Sequence, residues 1–587
     1  MKYHIGYPEK HWQFLYSLDA FLFAIALFYL FTLIVESGLP LTPHAKIILG
    51  YINIGVIFFS ILEVMIKYRL SSAKYTFVSD EFWDCLFTGL LLVTCIYAGY
   101  VHLIKLHLPF HPSHLIAPEH EHFVVLRLAL FISVLVQFKE FNRILLGLHV
   151  QPVQLLVGGF FLVIVLGTVV LSLPQAGTSK IPFIDALFTA TSATCVTGLI
   201  TLQPGTDFTL FGQIVIVILM QIGGLGIMTL SAFIALLLRG GLGIEGRRIM
   251  TETIEFKASH QLTHLLKQII KFTFIVESAG AVIFIWRFLA QGYGFYNAFY
   301  HGVFHAISGF CNAGMSLFPE NILLYQKDPY FLLTMAMLII LGGIGFLVVL
   351  DVKHLVLSKQ HPKIALSVQT KIVLSITGVL IVGGTLLILF TEYFGQLNHL
   401  PLKFKVLNAF FQAVTPRTAG FNTLDVGTLS HATLLMLMIL MFIGGASGST
   451  AGGIKVNTVG VLFGLLRAVI RNKPHVMMFE RTIPTSTIHK AIALTFLSVL
   501  IQFFAALLII IHDQFPLLPT MFETISAFNT VGLSMGITAS LSSFSKMVIT
   551  LLMFIGRVGP IAFVVALAQR DVEESYVEYP EEYIVVG

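Results

Sequence analysis

Four segments of this 587-residue chain repeat the same residue types at matching spacing: FTATSATCVTGL (Phe188 to Leu199), FHAISGFCNAGM (Phe304 to Met315), FQAVTPRTAGF (Phe411 to Phe421) and FETISAFNTVGL (Phe522 to Leu533). Each opens on Phe, runs through small and apolar residues with a Ser or Thr, and reaches a glycine. The step from Phe to Gly is ten residues in three copies and nine in the third. The chemistry open to such segments is dehydration of a monovalent cation. An unpaired charge in a low-dielectric medium costs on the order of tens of kcal/mol, and rings of backbone carbonyls can replace the lost water. Glycine permits the dihedrals that turn carbonyls inward. Extended backbone at membrane depth is tolerated where it lines a watery cavity. The oxygen-bearing stretches are Cys195, Val196, Thr197 and Gly198; Cys311, Asn312, Ala313 and Gly314; Thr418, Ala419 and Gly420; and Asn529, Thr530, Val531 and Gly532. A short half-helix before each would aim its partly negative C-terminal end at the ion. Four copies make one ring, a tetrameric filter within one polypeptide.

The elements that must position this ring are membrane helices. The chain is 56% hydrophobic and 11% charged, with mean hydropathy +0.88, outside the range of ordinary soluble domains. The glycines Gly198, Gly314, Gly420 and Gly532 lie 116, 106 and 112 residues apart, room for a pair of spanning helices of about 20 residues per copy. Twelve spans fit. Four precede the repeats, near 12–35, 46–68, 83–104 and 123–148. The repeat helices fall near 153–174 and 209–238, 264–290 and 330–357, 369–392 and 430–470, and 488–512 and 545–568. The segment 430–470 is too long for one span and is broken by glycines. The fold class is an all-α polytopic membrane protein. Its expected units are an N-terminal four-helix module (1–150), four pore repeats (151–258, 259–365, 366–483 and 484–570) and a tail (571–587).

Basic residues set the orientation. Arg239, Arg247, Arg248 and Lys257, then Lys353, Lys359 and Lys363, then Arg467, Arg471, Lys473, Arg481 and Lys490 lie between the repeats, whereas the motif sides carry few, such as Lys180 and Lys327. The connections are therefore expected in the cytoplasm with both termini, and the motifs outside. The net charge of +5 is then a topology signal and no pointer to nucleic acid. The first apolar stretch has no small-residue cleavage site and is read as retained.

These residues resemble the Trk/Ktr/HKT superfamily of potassium transporters, most closely its Ktr-type membrane subunit, over roughly 150–587. Three further stretches carry the resemblance. GGASGSTAGGIK is similar to the family's intramembrane gating loop, which implies a gate at Gly444, Gly445, Ser447, Gly448, Ser449, Thr450, Gly452, Gly453 and Lys455. FIGRVGP resembles the last helix with its pore-facing arginine, here Arg557. YPEEYIVVG resembles the Ktr tail that contributes to a homodimer interface. The resemblance implies potassium uptake across the cell membrane, K+ at the filter carbonyls, no covalent cofactor, and a cytosolic ring of nucleotide-binding regulators beneath a homodimer in the lipid bilayer. Na+ stays open as an activator. In this superfamily a serine at the first filter glycine goes with sodium permeation, so Gly198 favours potassium. Cys195 and Cys311 stand where many relatives are polar, which bears on conductance more than on selectivity.

Other features carry less. The N-terminal module looks like a voltage sensor, but Arg127 stands alone until Lys139 and Arg143, without the arginine at every third residue that gating charge needs. It reads as a structural or regulatory appendage. His102, His107, His111, His114, His120 and His122 form a proline-interrupted loop with no ordered ligand set. Cys85, Cys95, Cys195 and Cys311 lack pairing or metal spacing. Gly241, Gly243 and Gly246 fit GxGxxG but follow a membrane helix, outside any βαβ unit. No catalytic constellation appears, so an enzyme is not expected. Two other readings stay open: a sodium- or proton-coupled symporter, whose fold usually shows inverted repeats, and a voltage-gated cation channel.

Overall fold

The computed structural model describes residues 59, 62, 65–70, 152–237, 262–357, 366–560 and 563. Apart from short helical pieces within 59–70, the N-terminal module, its histidine-rich loop, the GxGxxG stretch and the tail 571–587 lie outside the described residues. What is described is helical, with one two-stranded hairpin, β1 (Met477–Met478) and β2 (Arg481–Thr482).

The helices follow one another as long, short and long again. The first group is α1 (Pro152–Leu171), α2 (Phe183–Thr194) and α3 (Leu210–Leu237). The second is α4 (Leu262–Ala290), α5 (Phe295–Cys311), α6 (Pro329–Gly343) and α7 (Phe346–Leu357). The third is α8 (Val368–Glu392), α9 (Leu402–Val414), α10 (His431–Phe442) and α11 (Val456–Ile470), and the fourth is α12 (Thr485–Asp513), α13 (Leu517–Phe528) and α14 (Ser543–Val558). Among the described residues three helical stretches are long and apolar enough to cross a membrane alone: Gln268–Ala290, Val368–Glu392 and Thr485–Asp513.

Local sequence fixes where these helices start. Pro182, Pro401 and Pro516 stand immediately before α2, α9 and α13 with extended backbone, setting φ for the entry into each short helix. Four other helices, α6, α8, α10 and α14, have side-chain caps. Asp328, Ser367, Ser430 and Ser542 accept from the backbone N–H three residues on, at Phe331, Thr370, Thr433 and Ser545. Such a cap contributes about 1 kcal/mol.

Lipid tails are as apolar as leucine, so these helices hold together by close packing and polar contacts. The packing is cyclic. The closing helix of each group lies against the short helix of the next: α3 on α5, α6 on α9, α10 on α13, and α14 back on α2. The Phe that opens each motif copy, Phe188, Phe304, Phe411 and Phe522, is buried at these joints. The last joint carries an ion pair, Lys546 Nζ to Asp185 Oδ1 at 2.7 Å, between side chains 13% and 9% exposed. Asp185 sits in the first turn of α2, where the helix dipole also favours its charge.

The structure corrects the sequence expectation of continuous helices over 209–238 and 330–357. α3 is kinked at Gly226 (φ 75°). The second stretch is two helices, parted at Gly345 (φ 92°). α14 likewise ends on Gly559 at φ 97°. Glycine in membrane helices usually serves close packing, so its presence alone did not announce a break.

Replacing Lys546 by Met leaves Asp185 buried without its cation, a change that costs about 3–5 kcal/mol when a buried pair is broken from one side. We expect a lower thermal midpoint in detergent for Lys546→Met and partial recovery in Lys546→Met/Asp185→Asn. Equal midpoints for wild type and the single variant would show that this pair does not hold the joint.

Candidate functional site: four glycine segments and a loop beneath them

Each short helix runs out at the start of its glycine segment. Cys195 and Asn529 are the residues just after α2 and α13, and Cys311 is the last residue of α5. Beyond them the backbone alternates. Val196 (φ 55°), Asn312 (φ 61°), Thr418 (φ 69°) and Thr530 (φ 49°) are left-handed; Gly198 (92°), Gly314 (65°), Gly420 (74°) and Gly532 (93°), two residues later, are left-handed again. A β-branched residue at positive φ is a genuine outlier, costing of order 1–3 kcal/mol, and three of these four are Val or Thr. Strain of that size persists only where the surroundings over-determine it.

Part of what over-determines it is a hydroxyl residue that sequence reasoning noticed but did not place in the site. Ser192 Oγ donates to Leu199 O (2.7 Å) and accepts from Gly198 N (3.1 Å). Ser308 Oγ donates to Met315 O (2.7 Å), Thr415 Oγ1 donates to Phe421 O (2.5 Å), and Ser526 Oγ accepts from Gly532 N (3.1 Å). The backbone repeats the clamp: the N–H of Thr197, Ala313, Ala419 and Val531 donates to the carbonyl of that hydroxyl residue at 2.8–2.9 Å. The third copy reaches the same arrangement with one residue fewer, because Thr415 lies five residues before its glycine and the other three lie six before.

The four segments close on one another. A Cβ on Gly198 would lie 2.6 Å from Ala313 O; on Gly314, 2.8 Å from Ala419 O; on Gly420, 2.5 Å from Val531 O; and on Gly532, closer still to Thr197 O. Carbonyls therefore alternate with glycines around a closed cycle in which no side chain fits. Buried hydroxyls of Thr197, Thr418 and Thr530 and the amide of Asn312 have no protein partner. On one side lies a vestibule of about 540 Å³, lined by all four glycines and by Glu320, Asn321 and Asp425 with no Lys or Arg. Carboxylates at a narrow mouth raise the local cation concentration.

On the other side sits the glycine-rich loop. Ile443 and Ile454 pair as its neck, with Gly444 N donating to Ile454 O at 2.9 Å. The loop binds α6 through Ala446 N to Gly343 O (2.9 Å) and Thr450 N to Gly342 O (3.2 Å). Gly445 O accepts from Val456 N, and Gly448 O (Gly448 φ 76°) from Phe346 N. Internally, Asn457 Nδ2 donates to Ser447 Oγ, Ser449 Oγ to Ala446 O, and Lys455 Nζ to Ala451 O (2.6 Å). Arg557 crosses from α14, donating to Thr450 O (2.6 Å) and to Gly223 O. The loop touches the glycine segments directly. Thr450 Oγ1 donates to Phe310 O (3.2 Å), a Cβ on Gly452 would collide with Thr530 Oγ1, and one on Gly453 would lie 2.9 Å from Asn529 Oδ1. The structure thus brings the loop against the end of α5 and the fourth segment, with Arg557 bound between the loop and α3.

Two supporting groups were not singled out from sequence. A Cβ on Gly223, Gly342 or Gly556 would collide with Thr194 O, Phe310 O or Phe528 O, the carbonyls at the ends of α2, α5 and α13. Three of the closing helices thus press their backbone on a short-helix terminus. Behind the second segment, Glu277, 6% exposed, takes the Gln221 amide at 3.1 Å, and the Cys311 thiol lies 3.9 Å from its Oε1. The place of Glu277 in the middle of an apolar spanning helix is the sequence signal that could have found it.

Ser192→Ala orphans a buried N–H and a buried carbonyl at about 1–3 kcal/mol each. We expect about a tenfold loss of discrimination between monovalent cations in flux assays, with Ser192→Thr close to wild type, since Thr415 does the same task. Gly452→Ala drives a methyl into Thr530, so the loop must shift away; cation flux should rise. Unchanged flux in a folded Gly452→Ala protein would show that the loop does not obstruct the path.

Residues 150–579 match the TrkH family, described as a cation transport protein. The Ktr system potassium uptake protein B of Bacillus subtilis (strain 168) is 40% identical over 448 residues, 76% of this chain and 99% of that protein. The potassium/sodium uptake protein NtpJ of Enterococcus hirae is 37% identical over 75% of this chain and 98% of its own length. The crystal structure of the potassium transporter TrkH from Vibrio parahaemolyticus aligns with TM-score 0.56 at 16% identity, covering 82% of this chain and 97% of that one, a likeness of fold. A family match over most of the chain and a 40% identical relative aligned over almost its full length establish that this helical membrane protein belongs to the TrkH family of cation transport proteins.

Proposed function

We propose that the chain takes up potassium across the cell membrane through a single-chain, pseudo-fourfold selectivity filter. The observation that carries this reading is the cycle of alternating glycines and carbonyls at Gly198, Gly314, Gly420 and Gly532, the kind of oxygen ring that can exchange for a hydration shell. The filter ligands are the carbonyls of Cys195 to Gly198, Cys311 to Gly314, Thr418 to Gly420 and Asn529 to Gly532. The loop Gly444 to Lys455 is the gate and Arg557 its latch: two guanidinium bonds tie the loop's Thr450 to Gly223 on α3. Opening requires those bonds to be given up together, and a regulator that favours the released position shifts the population.

The working form is a homodimer on a cytosolic ring of nucleotide-binding regulators, with 1–150 as an added module beside four pore repeats. Arg467, Arg471, Lys473 and Arg481, near the hairpin, supply a basic docking face. The name of the Enterococcus relative joins sodium to potassium, so coupling or activation by sodium is the second reading.

The test is the reversal potential of purified protein in liposomes with opposed potassium and sodium gradients. Wild type is expected to follow the potassium gradient. Gly198→Ser adds a side chain where only a glycine fits, and its permeability ratio should move toward sodium by about tenfold or more, ~1.4 kcal/mol. A wild-type reversal potential displaced toward a fixed potassium-to-sodium or potassium-to-proton ratio would establish a coupled carrier instead.

A further inference from the structure

A slot of about 840 Å³ lies between α10, α11 and α12, with α13 at its back; Ile443 and Ile454 line it, and so do Val459 and Leu462 on α11. Its size falls within the roughly 300–1,000 Å³ of ligand-sized sites. Along α12 it runs from Thr495 to Ile510, about 22 Å at 1.5 Å per residue. One leaflet of hydrocarbon is about 15 Å deep, so the slot, which runs along a spanning helix, is long enough to take an acyl chain.

Its chemistry is hydrocarbon throughout. Met438, Phe442, Val499, Phe503, Ala506 and Leu507 are among its apolar lining residues. The three polar residues that line it have turned to their own helices: Thr495 Oγ1 donates to Ala491 O (2.8 Å), Gln502 Nε2 to Ser498 O (3.0 Å) and Thr524 Oγ1 to Thr520 O (3.1 Å). Those donors are therefore not aimed at a polar guest. The rim is built from outward-facing residues, Leu435 and Ile439 on α10 and Val499 and Phe503 on α12, each at least half exposed. α12 is one of the helices long and apolar enough to span a bilayer, so this rim opens on lipid.

We propose that the slot is a binding site for a lipid acyl chain, taken from the leaflet on the vestibule side and packed against the neck of the glycine-rich loop. Ile443 and Ile454, which pair at that neck, are the residues the chain end would touch. Buried methylenes contribute about 0.8 kcal/mol each relative to water, but in a bilayer the tail leaves hydrocarbon for hydrocarbon, so its hold rests on fit. Occupancy then favours the loop position in which the neck pair is intact. This last step rests on the gate reading above.

The experiment uses the full chain in phosphatidylcholine liposomes containing a phosphatidylcholine with a photoactivatable diazirine on one acyl chain, with labelled residues mapped by mass spectrometry. Label on Met438, Phe503 and Leu507 should exceed that on the lipid-facing α8 residues Val382 and Leu386 by about fivefold, ~1 kcal/mol of preference. Ala506→Phe, which puts a ring into the slot, and Leu435→Trp, which narrows its rim, should each cut the excess. Equal labelling of both surfaces, or cross-links from the slot to a second copy of the chain in place of lipid, would overturn the site. In the same liposomes, wild-type rubidium flux should change between short-chain and long-chain lipids and the Ala506→Phe flux should not. A labelled slot with equal lipid dependence in both proteins would refute the link to the loop while leaving potassium selectivity untouched.

Discussion

The structure depends on holding backbone in a conformation that it resists. At Val196, Thr418 and Thr530 a β-branched residue occupies left-handed space, and at Asn312 an amide does so at the matching position. Without that alternation successive carbonyls would not share one side of the segment. The short helices, the hydroxyl clamps from Ser192, Ser308, Thr415 and Ser526, and the glycine contacts of Gly223, Gly342 and Gly556 all serve to keep it there. Order-of-magnitude strain of 1–3 kcal/mol per site is comparable to what one buried hydrogen bond protects from loss, so several clamps per segment are physically reasonable.

The same economy explains the asymmetry below the glycine ring. The first, second and fourth groups meet the ring with helix broken at one glycine, Gly226, Gly345 or Gly559. The third inserts a whole loop, whose carbonyls and N–H groups would be ruinous at that depth if unpaired. They are paired instead with α6, with Phe346 and with Arg557. Arg557 is bound to one backbone carbonyl of the loop, Thr450 O, and one of α3, Gly223 O, which lowers the cost of a guanidinium in the membrane interior and ties the loop to α3.

Much of this was legible in sequence for a definite reason. The Phe and Gly of each motif recur because each has one geometric solution, a buried ring at a helix joint and a residue without Cβ at a crowded axis. The loop was legible because Ser447, Ser449 and Thr450 interrupt an apolar stretch. Cys195, Cys311 and Asn529 could be grouped with the filter by spacing, but spacing could not reveal that they sit at helix ends with the alternation starting one residue later. The breaks at Gly226 and Gly345 were hidden because glycine packs helices more often than it breaks them. Glu277 carried a local signal that was passed over, a carboxylate in the middle of an apolar spanning helix, but its partners, Gln221 and Cys311, lie 56 and 34 residues away, so sequence could not say what it faces.

The cyclic order of packing has a consequence for biogenesis. Because α14 closes against α2, with Lys546 meeting Asp185 across 361 residues of chain, the ring does not exist until the last group has entered the membrane. A nascent chain threaded only as far as the third group has three of its four walls, and the face of α2 meant for α14 stays open to lipid. The cycle of glycines and carbonyls is therefore incomplete at every stage of synthesis before the end, and a chain truncated before the fourth group cannot close it.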